Sequence, residues 1–111
     1  MTEDELKHYC LSLPMVYSDQ PFHDDTVAFR HTANHKTFVF MIHAHGRLHI
    51  NLKCEPLRAQ LLRDSYTGVE PGYHMNKQHW NSVFLDTDVP DFEIKNMIDA
   101  SHELTRPRIK L

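Results

Sequence analysis

The chain has 111 residues, a length that fits one domain and leaves no room for a second. Its composition, 41% hydrophobic and 24% charged, is ordinary for a globular protein and excludes a disordered one. The formal net charge of −3 argues against nucleic acid as a partner, because dedicated DNA-binding domains are usually basic. We therefore expect residues 1–111 to form a single folded domain.

The longest apolar run, Phe38 to Ile42, has five residues, whereas a membrane helix needs about 20. Residues 1–5 are rich in acidic side chains, unlike the basic start of a secretory signal. Cys10 and Cys54 form no CxxC pair, so neither a disulfide framework nor a zinc finger is indicated. These features predict a cytoplasmic protein with no membrane partner.

The first helix is predicted to begin at Thr2, because Thr2 and Glu5 have the spacing of a capping box. Pro14 ends this helix, and residues 14–25 are predicted to form a loop. The apolar stripe that should be buried consists of Leu6, Tyr9, Cys10 and Leu13.

Three strand-like runs follow, at residues 26–32, 36–43 and 47–53. The connections between them, residues 33–35 and 44–46, are short enough for hairpins. The sequence therefore predicts an antiparallel meander that is polar on one face.

A second helix is predicted to begin near Pro56, where a missing backbone N–H has no cost. Residues 69–79 fit no period, and residues 80–85 are predicted to form another strand. The apolar side of the helix should consist of Leu57, Leu61 and Leu62, with Arg58 and Arg63 elsewhere on its surface.

The last helix is predicted from Asp91 to Leu104, followed by a short basic tail from Arg106 to Lys110. The order is then helix, three strands, helix, one or two strands, helix. Helices segregated from an antiparallel sheet make an α+β two-layer domain, with a curved sheet on which the helices pack. The buried face of the last helix should consist of Ile94, Met97, Ile98, Ser101 and Leu104.

Familiar catalytic motifs are absent from this sequence. With three glycines it contains no GxGxxG and no P-loop, and it has neither GxSxG nor HExxH. Cys54 is more typical of a small buried hydrophobe than of a nucleophile. His43 and His45 would share a strand face, but nothing in their spacing points to a full ligand set. We therefore predict no catalytic residues, no cofactor and no metal.

The segment from Pro71 to Asn81 is the part of the sequence most indicative of function. Its eleven residues include the only tryptophan, a tyrosine, two histidines, a lysine and several amides. Such side chains can stack on bases and hold phosphate, and they can equally anchor a protein or a small molecule. They can also simply close a loop, with Trp80 and Met75 in the core.

The sequence of this segment, PGYHMNKQHWN, resembles the MmcQ/YjbR-like family. The resemblance extends from the segment beginning at Cys10 to Leu104, and includes the run from Asn51 to Cys54. It implies an α+β fold with a curved antiparallel sheet flanked by helices. Family members usually have glycine at two positions where this chain has Met15 and His23, and glycine readily adopts positive φ.

Members of this family are commonly labelled DNA-binding, because their fold resembles a double-winged nucleic-acid-binding arrangement. The resemblance therefore implies a DNA-binding module, and the absence of catalytic motifs makes it a non-enzymatic one. The net charge and the lack of a basic cluster predict that its binding is weak and salt-sensitive. In that interpretation Lys53 and Lys77 contact phosphate, and Asn76 reads base edges or sugar. The residues that would stack on or frame bases are Tyr73, His74 and Trp80.

The alternative is a small-molecule or protein-binding domain that uses the same segment as the rim of an apolar pocket. Three-dimensional placement distinguishes the two. A shared basic face including Arg47, Lys53 and Lys77 would favour nucleic acid. A concave apolar cavity lined by Tyr73, His74 and Trp80 would favour a small molecule.

Overall fold

Local signals in the sequence determine where the helices begin in the computed structural model, which describes residues 1–108. The Glu5 N–H donates to the Thr2 hydroxyl and the Thr2 N–H donates to the Glu5 carboxylate, which completes the predicted capping box. Glu55 caps the second helix, whose first residue is Pro56. The elements are α1 (Glu3–Ser12), β1 (Val16–Asp19), β2 (Val27–His31), β3 (Thr37–Ala44), β4 (Arg47–Lys53), α2 (Pro56–Ser65), β5 (Val69–Pro71), β6 (Trp80–Phe84) and α3 (Asp91–Thr105).

The six strands form one sheet in the order β1-β2-β3-β4-β6-β5, and all neighbours are antiparallel. The first four strands are a meander, as predicted. Helix α2 then leads to β5 at the edge of the sheet. Strand β6 turns back and pairs between β4 and β5. The predicted α+β class, with an antiparallel sheet and separate helices, is confirmed.

One face of the sheet packs on α1 and α3 and forms the core. Alternation along the strands points Met41, Ile50 and Val83 towards these helices, in line across three strands. A β-bulge in β3 opposite β2 inserts an extra residue, Phe38, which is fully buried beside Val39. The helices contribute Leu6, Cys10, Ile94, Met97 and Ile98 to the same cluster.

Four predictions about burial or secondary structure are wrong. Residues 14–25 are not all loop, because β1 pairs through its backbone with β2 although none of its side chains is fully buried. The segment 69–79 includes the short strand β5. Leu104 is 43% exposed, because the end of α3 packs on the sheet through Ser101 and Thr105 instead. The predicted tail residues Ile109 and Lys110 lie outside the described residues.

The fourth error concerns the face of α2 that packs on the sheet. Leu57 and Leu61 are 81% and 63% exposed, whereas Ala59 and Leu62 are buried. Residues 59 and 62 lie three apart and share a face, and Leu57 and Leu61 share the opposite side. Arg63, four residues after Ala59, therefore also faces the sheet rather than solvent.

Positive φ occurs at Met15, one of the two positions where the resemblance implies glycine. Met15 has φ of 58°, so the backbone keeps the left-handed conformation although the side chain disfavours it. In the predicted hairpin between β3 and β4, His45 and Gly46 have φ of 53° and 72°, as a two-residue turn of type I′ requires. Within residues 1–108, no helix combines the length and the apolar character needed to cross a membrane.

Two histidines pack where the end of α3 meets β2 and β3. The His31 and His102 rings lie 4.4 Å apart, and both contact Phe38. His31 is buried and its Nε2 lies 2.9 Å from the Thr105 hydroxyl. Burial lowers the pKa of His31, and the neighbouring His102 lowers it further. The contact between α3 and the sheet therefore disfavours protonation of His31.

We expect acid to destabilise the fold through His31. In the unfolded chain a histidine gains its proton as the pH falls through about 6.5, whereas the folded chain resists protonation. Stability is therefore complete above that pH and decreases below it. Urea unfolding at pH 7.5 and 5.0 should show a smaller decrease for His31→Gln than for the parent.

The control is His8→Gln, which removes an exposed histidine from α1 and should retain the full decrease. Burial also lowers the pKa of His49, so the pH dependence of stability should be smaller in His31→Gln but should not disappear. An equal pH dependence in His31→Gln and the parent would contradict the assignment.

Candidate functional site

The face of the sheet opposite the helices carries a row of side chains across neighbouring strands. Phe40 in β3 pairs with Asn51 in β4, Asn51 pairs with Ser82 in β6, and Ser82 pairs with Glu70 in β5. Because side chains alternate, all four point away from α1 and α3. We call this side of the sheet the open face.

Two buried polar side chains fix a loop on the open face. The Asn51 Nδ2 donates to the Tyr73 carbonyl over 3.1 Å, and the Tyr73 N–H donates to Ser82 Oγ over 2.9 Å. Ser82 Oγ in turn donates to Asn51 Oδ1 over 2.5 Å. Both side chains are 1% exposed. The backbone of Tyr73 is therefore held at both its N–H and its carbonyl, while its ring stays half exposed.

Residues 72–79, which we call the cavity loop, connect β5 to β6. The Gly72 N–H donates to the Trp80 carbonyl over 2.8 Å. A Cβ on Gly72 would lie 2.8 Å from the Trp80 Cβ, so only glycine fits this close approach. Lys77 Nζ donates to the Gly72 carbonyl over 3.0 Å, which ties the far side of the loop to its start.

Arg63 of α2 holds the other end of the cavity loop. Its Nε donates to Asn81 Oδ1 over 2.7 Å, and its Nη2 donates to the carbonyls of Lys77 and Trp80. Asn81 is fully buried, so its side chain depends on such partners. The prediction that Arg63 lies elsewhere on the surface of α2 is wrong, because α2 packs through the face of Ala59.

A first cavity of about 280 Å³ lies between the cavity loop and residues 20–26. Phe22 stacks on Phe40 with ring centroids 6.3 Å apart and forms the outer wall. We call this the apolar cavity, and Asp24 is the one acidic residue in its lining. Its remaining main walls are Ile42, Tyr73, His74 and Met75.

A second cavity of about 300 Å³ lies on the other side of Tyr73, which lines both. We call it the polar cavity. Its principal walls are Arg47, His49, Glu70, Tyr73, Ser82 and Phe84.

His49 is the unusual residue of the polar cavity. It is 2% exposed, its ring lies 5.0 Å from the Phe84 ring, and neither ring nitrogen has a hydrogen-bond partner within residues 1–108. Burial lowers its pKa, which Glu70 partly offsets and Arg47 reinforces. His49 is therefore a neutral imidazole with an unused donor and an unused acceptor.

The residues predicted to bind a ligand divide into two groups. Tyr73 and His74 line the apolar cavity, and their rings lie 4.1 Å apart. Trp80 is half buried with its ring 6.1 Å from Phe40, on the same face. Two of the three predicted aromatic residues thus line the apolar cavity, and Trp80 lies on the same face outside its lining.

The polar residues predicted to contact a ligand are Asn76, Lys77 and Lys53, and the first two form hydrogen bonds within the cavity loop. Asn76 Oδ1 accepts from the Gln78 N–H and closes a turn of the cavity loop. Lys77 is engaged by the Gly72 carbonyl. Lys53 lies opposite Trp80 in the register, half buried, and forms no ion pair within residues 1–108.

The basic residues do not form one cluster on the open face. Arg47 and Lys53 lie six positions apart on β4, about 20 Å along an extended strand. Arg47 pairs with Asp86 over 3.1 Å and covers the Phe84 ring at 4.4 Å. Both residues lie on the open face, but they are too far apart to form the basic cluster that would favour nucleic acid.

The cysteines and the strand histidines offer little reactivity. Burial raises the pKa of Cys10 to about 12 and also raises that of Cys54, so both thiols are held protonated. His43 contacts Glu3 and Asp25 through different ring nitrogens, at 3.2 and 3.5 Å. Residues 1–108 bring no three metal-binding side chains together, and the absence of a metal site stays a prediction.

Sequence reasoning missed His49, Glu70, Phe22 and Phe40 as site residues. The alternation of β4 carried a signal, since it placed His49 and Asn51 on one polar face of the meander. The sequence predicts only that this face is polar. Only the position of β6 beside β4 shows that the cavity loop covers it.

We expect Arg63→Ala to loosen the cavity loop and reduce stability by about 2–3 kcal/mol, because charged hydrogen bonds to buried acceptors are lost. Hydrogen exchange should accelerate at the Gln78 to Trp80 amides. The matched control is Arg58→Ala on the same helix, an exposed residue 3.6 Å from Glu93, which should cost less than about 1 kcal/mol. Similar losses in both variants would contradict this role of Arg63.

Comparison with known proteins identifies the family. The YjbR family matches residues 11–104. The uncharacterised protein YjbR of Escherichia coli K12 is 35% identical and aligns over 93% of this chain and 86% of its own length. The uncharacterised protein YyaQ of Bacillus subtilis is 37% identical, over 71% and 75% respectively.

Two crystal structures have the same fold. A Pseudomonas syringae protein is 30% identical, with a TM-score of 0.85 over 96% of this chain and all of the other. Deinococcus radiodurans DR2400 is 31% identical, with a TM-score of 0.84 over 93% of this chain and 77% of the other. Together with the match over residues 11–104, these relatives show that the chain belongs to the YjbR family.

Proposed function

We propose that this protein is a non-enzymatic binding module that takes a small organic molecule in the apolar cavity of the open face. The observation that carries the proposal is that Tyr73 and His74 line a concave apolar cavity together with Phe22 and Phe40. Its volume of about 280 Å³ lies just below the range for ligand pockets, about 300–1,000 Å³.

The way the cavity is built supports a binding role. Its floor is the sheet, a rigid element, and its central wall is fixed through the Tyr73 backbone by Asn51 and Ser82. A site whose walls are held before the ligand arrives loses less entropy on binding. The rings of Phe22 and Tyr73 are about half exposed, so their free surfaces can contact a ligand.

Nucleic acid is the second candidate, and Lys53 is the observation that favours it. Lys53 and Trp80 are direct neighbours across β4 and β6, a cation without an acidic partner in the described chain beside a half-buried aromatic ring. Such a pair suits a stacked base and its phosphate. Against it, Asp24 and Glu70 line the neighbouring cavities and would repel phosphate.

Indole, a neutral aromatic of fragment size, provides a test of the first candidate. An NMR titration should shift the amides of Phe40, Ile42, Tyr73 and Met75. Phe22→Ala should weaken binding about fivefold, because one apolar wall is lost. Phe92→Ala removes a comparably exposed ring from the start of α3 and should leave the affinity unchanged.

An unchanged affinity in Phe22→Ala, or shifts scattered over the surface, would overturn the small-molecule proposal. The second candidate is tested separately with a single-stranded and a duplex oligodeoxynucleotide at 50 and 200 mM salt. If nucleic acid is the ligand, binding should weaken with salt and Lys53→Ala should flatten that dependence by about one unit of slope. If neither oligodeoxynucleotide binds in a salt-dependent manner, nucleic acid is excluded as the ligand.

A further inference from the structure

Building on the proposed function, we infer that the ligand is an organic amine whose ammonium group lies in the polar cavity between Glu70 and His49. Its apolar body would occupy the apolar cavity. The two cavities are adjacent, since Tyr73 lines both. A single molecule that passes over the half-exposed Tyr73 ring would reach from one to the other.

The first step of the argument is the unused hydrogen-bonding capacity of His49. Buried polar groups in folded proteins nearly always have partners, and groups without them call for an explanation. His49 is 2% exposed with both nitrogens unpartnered, while Asn51 and Ser82 on the same face are fully engaged. As a neutral imidazole it offers an acceptor nitrogen, which an ammonium group can use.

The second step is the charge around the cavity. Arg47 is the one fully cationic side chain in the lining, and Asp86 at 3.1 Å balances it. Glu70 is exposed on the edge strand and forms no ion pair within residues 1–108. The uncompensated charge is therefore negative. Asp24 adds a second acidic group at the apolar cavity.

The third step concerns access. Neither His49 nitrogen is open to solvent in the free protein, so a ring must turn before a ligand reaches it. Tyr73 can provide this motion, because its backbone is fixed while its ring is 51% exposed and its hydroxyl has no partner in the described chain. The aromatic ring of Tyr73 would then border the ammonium, an arrangement that cations favour.

The experiment compares three probes with the same aromatic body: 2-phenylethylamine, 2-phenylethanol and 3-phenylpropanoate. We expect the amine to bind about three- to tenfold more tightly than the alcohol, as for a partly exposed ion pair. The carboxylate should bind most weakly. The imidazole ¹⁵N resonances of His49 should move with the amine and not with the alcohol.

Two variants test the assigned residues. Glu70→Gln should reduce amine affinity to that of the alcohol without affecting alcohol binding, whereas the control Glu103→Gln, an exposed acid on α3, should change neither. His49→Phe should also abolish the preference for the amine, and it should not lower the melting temperature, because no unsatisfied nitrogen remains. Glu70 is exposed, so its variant is expected to fold even if His49→Phe does not.

The two proposals fail differently. Equal binding of the three probes, or an amine preference that survives Glu70→Gln, would overturn the assignment of an amine. The proposal that the apolar cavity binds a small molecule would not be affected. If neither indole nor any of the three probes binds at the open face, the small-molecule function itself is wrong.

Discussion

The hydrogen-bonded pair of Asn51 and Ser82 is the interaction on which the open face depends. Both side chains are buried at the centre of a sheet face, where an unsatisfied polar group costs about 1–3 kcal/mol. They satisfy each other and the backbone of Tyr73. An apolar pair at these positions would call for a further layer of apolar cover. The polar pair instead binds a loop, and the loop leaves a cavity on each side.

The order of the strands makes this pair possible. Because β6 returns between β4 and β5, Ser82 lies beside Asn51, and the loop that precedes β6 begins at the edge of the same face. Arg63 fixes the loop from α2, the helix that carries the chain to that edge. The site therefore depends on this strand order. If β6 lay at the edge of the sheet, Ser82 would be separated from Asn51, and the Tyr73 backbone would lose its hydrogen bonds to both.

The sequence predicted those features that depend on neighbouring residues. The capping box of α1, the first turn of α2 and the three-stranded meander follow from signals a few residues apart. It failed where distant packing decides, as for Leu57 and Leu61, whose spacing suits a buried face but whose helix packs through Ala59. The same limit applies to the site. Tyr73 was predicted from its residue type, whereas His49 could be distinguished from a solvated histidine only by the loop that covers it.

Backbone strain shows that the cavity loop is held rather than relaxed. His74 has φ of 59°, a conformation that costs a residue with a Cβ about 1–2 kcal/mol. His35 and His45 share it in the hairpin connections of the meander, and Met15 shares it in the turn between α1 and β1. His74 has no hairpin of that kind. It follows Tyr73, whose N–H and carbonyl are both bound to the sheet, and it precedes the stretch held by Arg63. The strain persists because these two anchors fix the chain on either side, and a wall fixed in this way gives a cavity whose shape exists before any ligand arrives.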